Sequence, residues 1–253
     1  MKYILKQKNF INQSILNSAL MSEKPSIEIE KLIDNVYLTK LKNLIGMKQN
    51  KYHKWDVFGH TMRVLDNSEK KLIIRLAALF HDIGKQNTIG NKNGEITFHG
   101  HEDESMKIAD EIMSNIGYDK KMIGDVKNLI GGHMELKYAG DDGTGINNRS
   151  LRRFKNKHSM YLDNLMSLMD ADNKSHGTEY DMKNQITILK NRMNDIEIDK
   201  EKTVLPLNGN DIMKIFNVNG KMIGIYLKEL ENGIELNGNM DKDEAIEYLK
   251  NVM

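Results

Sequence analysis

The chain has 253 residues, 37 Lys and Arg against 36 Asp and Glu, a net charge of +1, and no cysteine. That length supports one large domain or two small ones. The near-zero charge gives no global basic field of the kind a strong nucleic-acid binder carries, and the lack of cysteine excludes disulfides, thiolate metal sites and a cysteine nucleophile. Only two prolines occur, and Lys, Glu, Met, Leu and Ile are abundant, which predicts an all-α fold. No run approaches the roughly 18 apolar residues of a membrane span, and Lys2 and Lys6 flank no apolar signal core. A cytoplasmic protein with no membrane partner is the expectation.

Residues 10–21 and 27–45 read as two helices, the second with Ile29, Leu32, Ile33, Val36, Leu41, Leu44 and Ile45 at helical spacing. Pro25 divides them, Ser26 is the expected cap, and both helices read as packing elements. Residues 55–67 form a third helix carrying His60, and residues 70–85 a fourth. Residues 87–97 are rich in Gly and Asn; Asn93-Gly94 predicts a tight turn in a loop or small hairpin. A helix over 101–116 follows, then one capped by Asp119 and ending near His133. Residues 139–148 read as a flexible loop through Gly140, Gly143 and Gly145. Further helices are expected at 150–157, 161–172, 181–198, 211–216, 222–231 and 241–253, the last with Asp241 and Glu244 as a capping pair.

The chemistry concentrates in Leu76-Ala77-Ala78-Leu79-Phe80-His81-Asp82-Ile83-Gly84-Lys85. An apolar run ends in an imidazole and a carboxylate, which could bind one cation at the edge of the core. Gly84 leaves space for a ligand to approach the backbone, and Lys85 brings a mobile positive charge. His60, His101, His133 and Asp172 are further candidates at long intervals. Adjacent residues point about 100° apart on a helix, so the remaining ligands come from other helices. Histidine with carboxylate suits Mn²⁺, Fe²⁺, Ni²⁺, Zn²⁺ or Mg²⁺. Arg149, Arg152, Arg153, Lys155 and Lys157 form the densest basic cluster, either a solvated helix face or a phosphate clamp. His53, His158 and His176 read as surface or packing residues.

His81-Asp82-Ile83-Gly84-Lys85, with its upstream His60 and downstream Ala171-Asp172, resembles the HD superfamily of metal-dependent phosphohydrolases. Residues 49–61 (QNKYHKWDVFGHT), Gly100-His101-Glu102 with Ser105, and Leu151-Arg152-Arg153-Phe154 are similar to the HD region of bacterial CCA-adding enzymes. So is the tail from Leu207-Asn208-Gly209 through Ile223-Gly224, and the likeness runs over roughly residues 20–253. The resemblance implies an HD-domain helical bundle with flanking helices. Its expected parts are an N-terminal segment at 1–50, an HD domain at 51–175 and a C-terminal tail at 176–253. It implies His60, His81, Asp82 and Asp172 around one divalent ion. It favours His101 over His99 and Asp172 over Asp170, and allows a second ion on His101 and His133 with Asp82 bridging.

The implied activity is metal-dependent hydrolysis of phosphomonoesters or phosphodiesters on nucleotides or RNA ends, 2′,3′-cyclic and 2′-phosphates included. Asp82, Lys85, Arg152 and Arg153 are the catalytic candidates, and Lys85, Arg149, Arg152 and Arg153 the substrate-binding ones. Two alternatives are a tRNA-binding module with a vestigial site and the HD subunit of a split tRNA nucleotidyltransferase. Asp170-Ala171-Asp172 has the letters of a nucleotidyltransferase metal pair but lies in a helical context, and no nucleotide-selecting segment precedes residue 20. The chain alone is expected not to add nucleotides.

Overall fold

A computed structural model describes residues 13–140, 142–177, 182–196, 205–237 and 240–253. It is an all-α helical bundle carrying one small hairpin, and by its contacts it divides into two compact units. The first holds residues 1–146 and 157–193, the second residues 147–156 and 194–253. Among the described residues no helix is long and apolar enough to cross a membrane.

The first unit begins with a helix, α1, over residues 13–20; the expected start at residue 10 lies outside the described residues. The long helix expected over 27–45 is broken into α2, Pro25–Leu32, and α3, Thr39–Lys42. Pro25 is the first helical residue rather than a separator, as its missing N–H permits. Ser26 does not cap: its N–H and hydroxyl both donate to the Asp66 carboxylate, at 3.1 and 2.8 Å. Asp56 caps α4, Val57–Asn67, by accepting from the Gly59 N–H at 2.6 Å. Its other oxygen accepts from the Gly46 N–H at 2.6 Å, which ties the preceding turn to the same cap.

The fourth helix, α5, covers Leu72–Phe80, and every residue from Ile74 to Phe80 is buried. A helix apolar all round belongs at the centre of a bundle, and α5 packs against α4, α7, α8 and α10. The helix expected over 70–85 stops at Phe80, and a turn over 81–84 leads into α6, Lys85–Thr88. The hairpin follows: β1 (Gly90–Lys92) pairs antiparallel with β2 (Glu95–Thr97), Asn91 opposite Ile96. Asn93 and Gly94 close it with φ of 55° and 84°, the two positive values that a two-residue turn requires.

Next come α7, His101–Ile116, and α8, Lys120–Gly132, which Asp119 caps from the Met122 N–H at 2.8 Å. A 3-10 turn covers Lys137–Ala139. The loop expected to be flexible is held: Gln185 donates to the Gly140 carbonyl at 2.7 Å, and Arg192 donates to the Gly143 and Ile146 carbonyls. The unit ends with α10, Leu162–Asn173, and α11, Gln185–Asp195. The expected outer ends of α11, at residues 181 and 197–198, lie outside the described residues.

The second unit holds α9, Asn148–Lys157, with α12, Gly209–Phe216, α13, Lys221–Asn237, and α14, Lys242–Val252. Leu207, Ile212, Leu230, Ile234, Ala245 and Leu249 form its core. Asp241 and Glu244 make the expected capping box, and Asn208 with Asp211 makes a second.

Candidate metal centre

The bundle brings six side chains into two clusters. His60, His81 and Asp172 form one; Asp82, His101 and His133 form the other, and within each the ligand atoms lie within 4.8 Å of one another. All six residues are buried. Helix α5 delivers His81 and Asp82 at its C-terminal end. Each helix packed on it supplies one more: His60 from α4, His101 from the start of α7, His133 just past α8 and Asp172 from α10.

The four imidazoles are aimed by backbone carbonyls. His81, His101 and His133 bond through Nδ1 to the carbonyl three residues earlier, on Ala78, Phe98 and Ile130, at 2.8, 2.9 and 2.6 Å. His60 Nδ1 reaches the Ser175 carbonyl at 3.3 Å. A carbonyl only accepts, so each Nδ1 carries a proton, and in the neutral ring that a metal requires each Nε2 presents a lone pair inward. This is the backbone-oriented state in which a histidine ligates a metal.

Asp82 joins the clusters. Its Oδ2 lies 3.3 Å from His81 Nε2 and 3.7 Å from His60 Nε2, while its Oδ1 lies 3.3 Å from His101 Nε2. His101 Nε2 is 3.4 Å from His133 Nε2. In the first cluster Asp172 Oδ1 is 3.0 Å from His60 Nε2. Yet His60 Nε2 and His81 Nε2 are buried with no well-formed hydrogen bond. Two buried lone pairs converging without donors are costly unless a cation satisfies them. Imidazole nitrogens with carboxylate oxygens are the donor set of a divalent metal. The residues present therefore fit one.

Two lysines offset the two carboxylates. Lys85 Nζ is buried 2.7 Å from Asp82 Oδ2 and 2.8 Å from Gln49 Oε1. Lys137 Nζ lies 2.8 Å from Asp172 Oδ2, 3.0 Å from Asn173 Oδ1 and 3.2 Å from His176 Nε2. Burial pushes both carboxylates up, but His81 and Lys85 outweigh it for Asp82, and Lys137, His176 and His60 for Asp172, so both sit well below the usual carboxylate range. Burial, with the neighbouring His81 and His101, lowers His133 to about 3. Burial also lowers His60, against the pull of Asp172. In His81 burial acts downward, but the Asp82 charge prevails and raises it.

The choices between neighbours are visible in the packing. His99 is exposed. Asp170 pairs with Lys174 at 2.5 Å on the outer side of α10. Gly84 leaves no ligand space: a Cβ there would meet the His101 carbonyl at 2.3 Å and the Ser105 N at 2.5 Å, so the glycine admits helix α7 itself. Its N–H donates to Ser105 Oγ at 2.8 Å. Arg149 and Arg153, on α9 of the second unit, donate to Asn232 Oδ1 at 2.8 and 3.3 Å; Arg152 shares that helix.

Three neighbours of the first cluster were not anticipated as site residues. They are Lys137, His176, whose Nε2 lies 3.6 Å from Asp172 Oδ1, and His53, whose ring stands edge-on to His60 at 5.0 Å. Burial together with Lys85 holds His53 far below the ordinary histidine value. A usable signal for the first two was spacing: Lys137 follows His133, and His176 follows Asp172, by four residues. His158 pairs with Glu135 at 3.1 Å, a packing role as expected.

The model of the HD domain family matches residues 50–176. A CC-adding tRNA nucleotidyltransferase from Thermus thermophilus is 31% identical over 144 residues, 54% of this chain. The matched stretch spans 32% of that relative, about a third of its length.

Proposed function

The chain belongs to the HD domain family, and on that premise we propose that it is a divalent-metal-dependent phosphohydrolase acting on phosphate esters of nucleotides or RNA ends. The observation that supports this most is Asp82, with one oxygen toward His60 and His81 and the other toward His101. His60, His81, Asp82 and Asp172 would hold one divalent ion, and Asp82, His101 and His133 would hold a second. Bound divalent ions supply Lewis-acid charge to a phosphoryl oxygen and acidify water.

The chain's own groups do the rest. The carbonyl-fixed imidazoles keep the centre rigid, and Asp82 and Asp172 keep it anionic by staying unprotonated. An ammonium has three donors. Among the described residues Lys137 spends all three on Asp172, Asn173 and His176, whereas Lys85 spends two, on Asp82 and Gln49. Lys85 is therefore the cation with a donor left for a substrate phosphate. Arg149, Arg152 and Arg153, on α9 of the second unit, are candidates for phosphate contact in their own right. The likeness to a tRNA nucleotidyltransferase favours an RNA end over a free nucleotide as natural substrate. It also keeps a tRNA-binding role open to the same experiment.

The test is metal analysis of the purified protein, then a screen of Mn²⁺, Fe²⁺, Ni²⁺, Zn²⁺ and Mg²⁺ against 2′,3′-cyclic, 2′- and 3′-nucleotides and tRNA bearing a terminal phosphate. Metal uptake with release of phosphate or opening of the cyclic ester is expected. A protein that takes up none of these metals, or takes them up and hydrolyses nothing while binding tRNA, refutes the hydrolase reading.

A further inference from the structure

His53 lies outside the six clustered side chains, but its surroundings give it a defined chemical role. Its ring is edge-on to His60 at 5.0 Å and to His176 at 4.6 Å, on the flank of the first cluster. Its Nδ1 lies 3.0 Å from Asn50 Oδ1. The Tyr52 N–H donates to that same atom at 3.3 Å, which identifies it as the amide oxygen and not the nitrogen. An amide oxygen only accepts, so the His53 proton sits on Nδ1 and Nε2 carries a lone pair. That Nε2 has no hydrogen bond among the described residues. Unlike the sealed ligand histidines, His53 keeps partial exposure.

The segment bearing it is anchored before His53 and after it, where the Lys54 N–H donates to the His176 carbonyl at 3.0 Å. Gln49 binds the Lys85 ammonium at 2.8 Å, and Lys51 pairs with Glu95 of the hairpin at 2.9 Å. The result is a fixed hydrogen-bond acceptor on a half-buried residue beside the first cluster, with no donor to it among the described residues. Its ring contacts are with His60 and His176, on the Asp172 side of the first cluster, and among the described residues none is with His101 or His133 of the second. It therefore stands beside the reacting centre, where a group next to the scissile phosphate would lie.

Resting on the phosphohydrolase reading, we propose that His53 Nε2 accepts a hydrogen bond from a ribose hydroxyl vicinal to the substrate phosphate, making His53 a determinant of ribose over deoxyribose. The test is calorimetric binding of adenosine 3′-phosphate and of its 2′-deoxy counterpart, with Mg²⁺, to the unmutated protein, H53F and H53Q. One neutral hydrogen bond predicts that the ribonucleotide binds about 2- to 13-fold tighter. The ratio should fall to about one in H53F and recover in part in H53Q, whose amide oxygen is again an acceptor. In parallel, the ¹⁵N resonance of His53 Nε2 should report an unprotonated nitrogen and shift with the ribonucleotide only.

No preference in the unmutated protein, or a preference that survives in H53F, overturns the proposal. Equal weakening of both ligands in H53F does so as well, since it marks a structural role or a contact to water. If H53F does not fold, H53Q and the ¹⁵N shift of the unmutated protein decide. Turnover is read separately: a ribose preference without hydrolysis refutes the hydrolase reading and leaves the His53 contact standing.

Discussion

At Asp82 one side chain carries three duties: it faces both clusters and neutralises Lys85. Asp82→Ala removes the carboxylate that faces both clusters and leaves the Lys85 ammonium buried without its counter-charge. Metal content should fall below one equivalent by elemental analysis and hydrolysis should drop to background, while the far-ultraviolet signal stays helical. A variant that keeps full metal occupancy rules out the bridging role. Lys85→Met tests the donor count. Losing one charge-assisted hydrogen bond to phosphate costs roughly 1.5–3 kcal/mol, a fall in turnover of about 10- to 150-fold. The same loss is expected for Arg152→Met or Arg153→Met if those arginines grip the scissile phosphate. Unchanged turnover of a small nucleotide in both arginine variants removes the clamp, and Lys85 then stands alone.

Among the elements, the closest constraint is between the turn after α5 and the first turn of α7. Gly84 has an ordinary φ of −72°, so its glycine requirement is steric and not conformational. A methyl group there would strike backbone atoms, at 2.3 Å from the His101 carbonyl and 2.5 Å from the Ser105 N. Backbone cannot rotate aside, so Gly84→Ala should cost about 3 kcal/mol, the upper end of overpacking penalties. It also moves His101 off its cluster. Gly132→Ala is the control, since its Cβ meets Leu165 Cδ2 at 2.8 Å, the far end of a side chain that can re-pack. That change should cost about 1 kcal/mol. Thermal denaturation ranks the two, and metal titration shows loss of affinity in Gly84→Ala alone; equal effects refute the assignment of the glycine to helix approach.

For the molecule as a whole, the buried helix α5 is the hub, and the ligands come from four helices packed around it. The candidate ligand set is therefore complete only when the first unit is folded, and metal bound there would be linked to its stability. At a free metal concentration a hundred times Kd, the folded state gains about 2.7 kcal/mol. For a unit of this size that raises the melting temperature by roughly 5–11 °C. A chelator should reverse the shift, and Asp82→Ala should abolish it. Core cohesion of the second unit, around Leu230 and Leu249, involves none of the six ligands, so its unfolding transition should not respond to metal.

Much of this was legible in the sequence because local chemistry dictates it. The apolar run into His81-Asp82 announces a buried helix ending at a polar centre, and Asn93-Gly94, Asp119 and the Asp241–Glu244 pair form the turn and caps their side chains favour. Which histidines and aspartates assemble was legible through family likeness, not through spacing. Tertiary structure decided what depends on long-range contact. The helix over 27–45 breaks although its periodicity is continuous, and Ser26 serves Asp66 40 residues away instead of a cap. Gly84 makes room for α7 rather than for a ligand, because only packing reveals which backbone approaches it. Lys137, His176 and His53 are unremarkable letters until the fold seats them on Asp172 and His60. Proton positions are decided there too, since the acceptor facing each Nδ1 fixes which lone pair is left for a metal or a substrate.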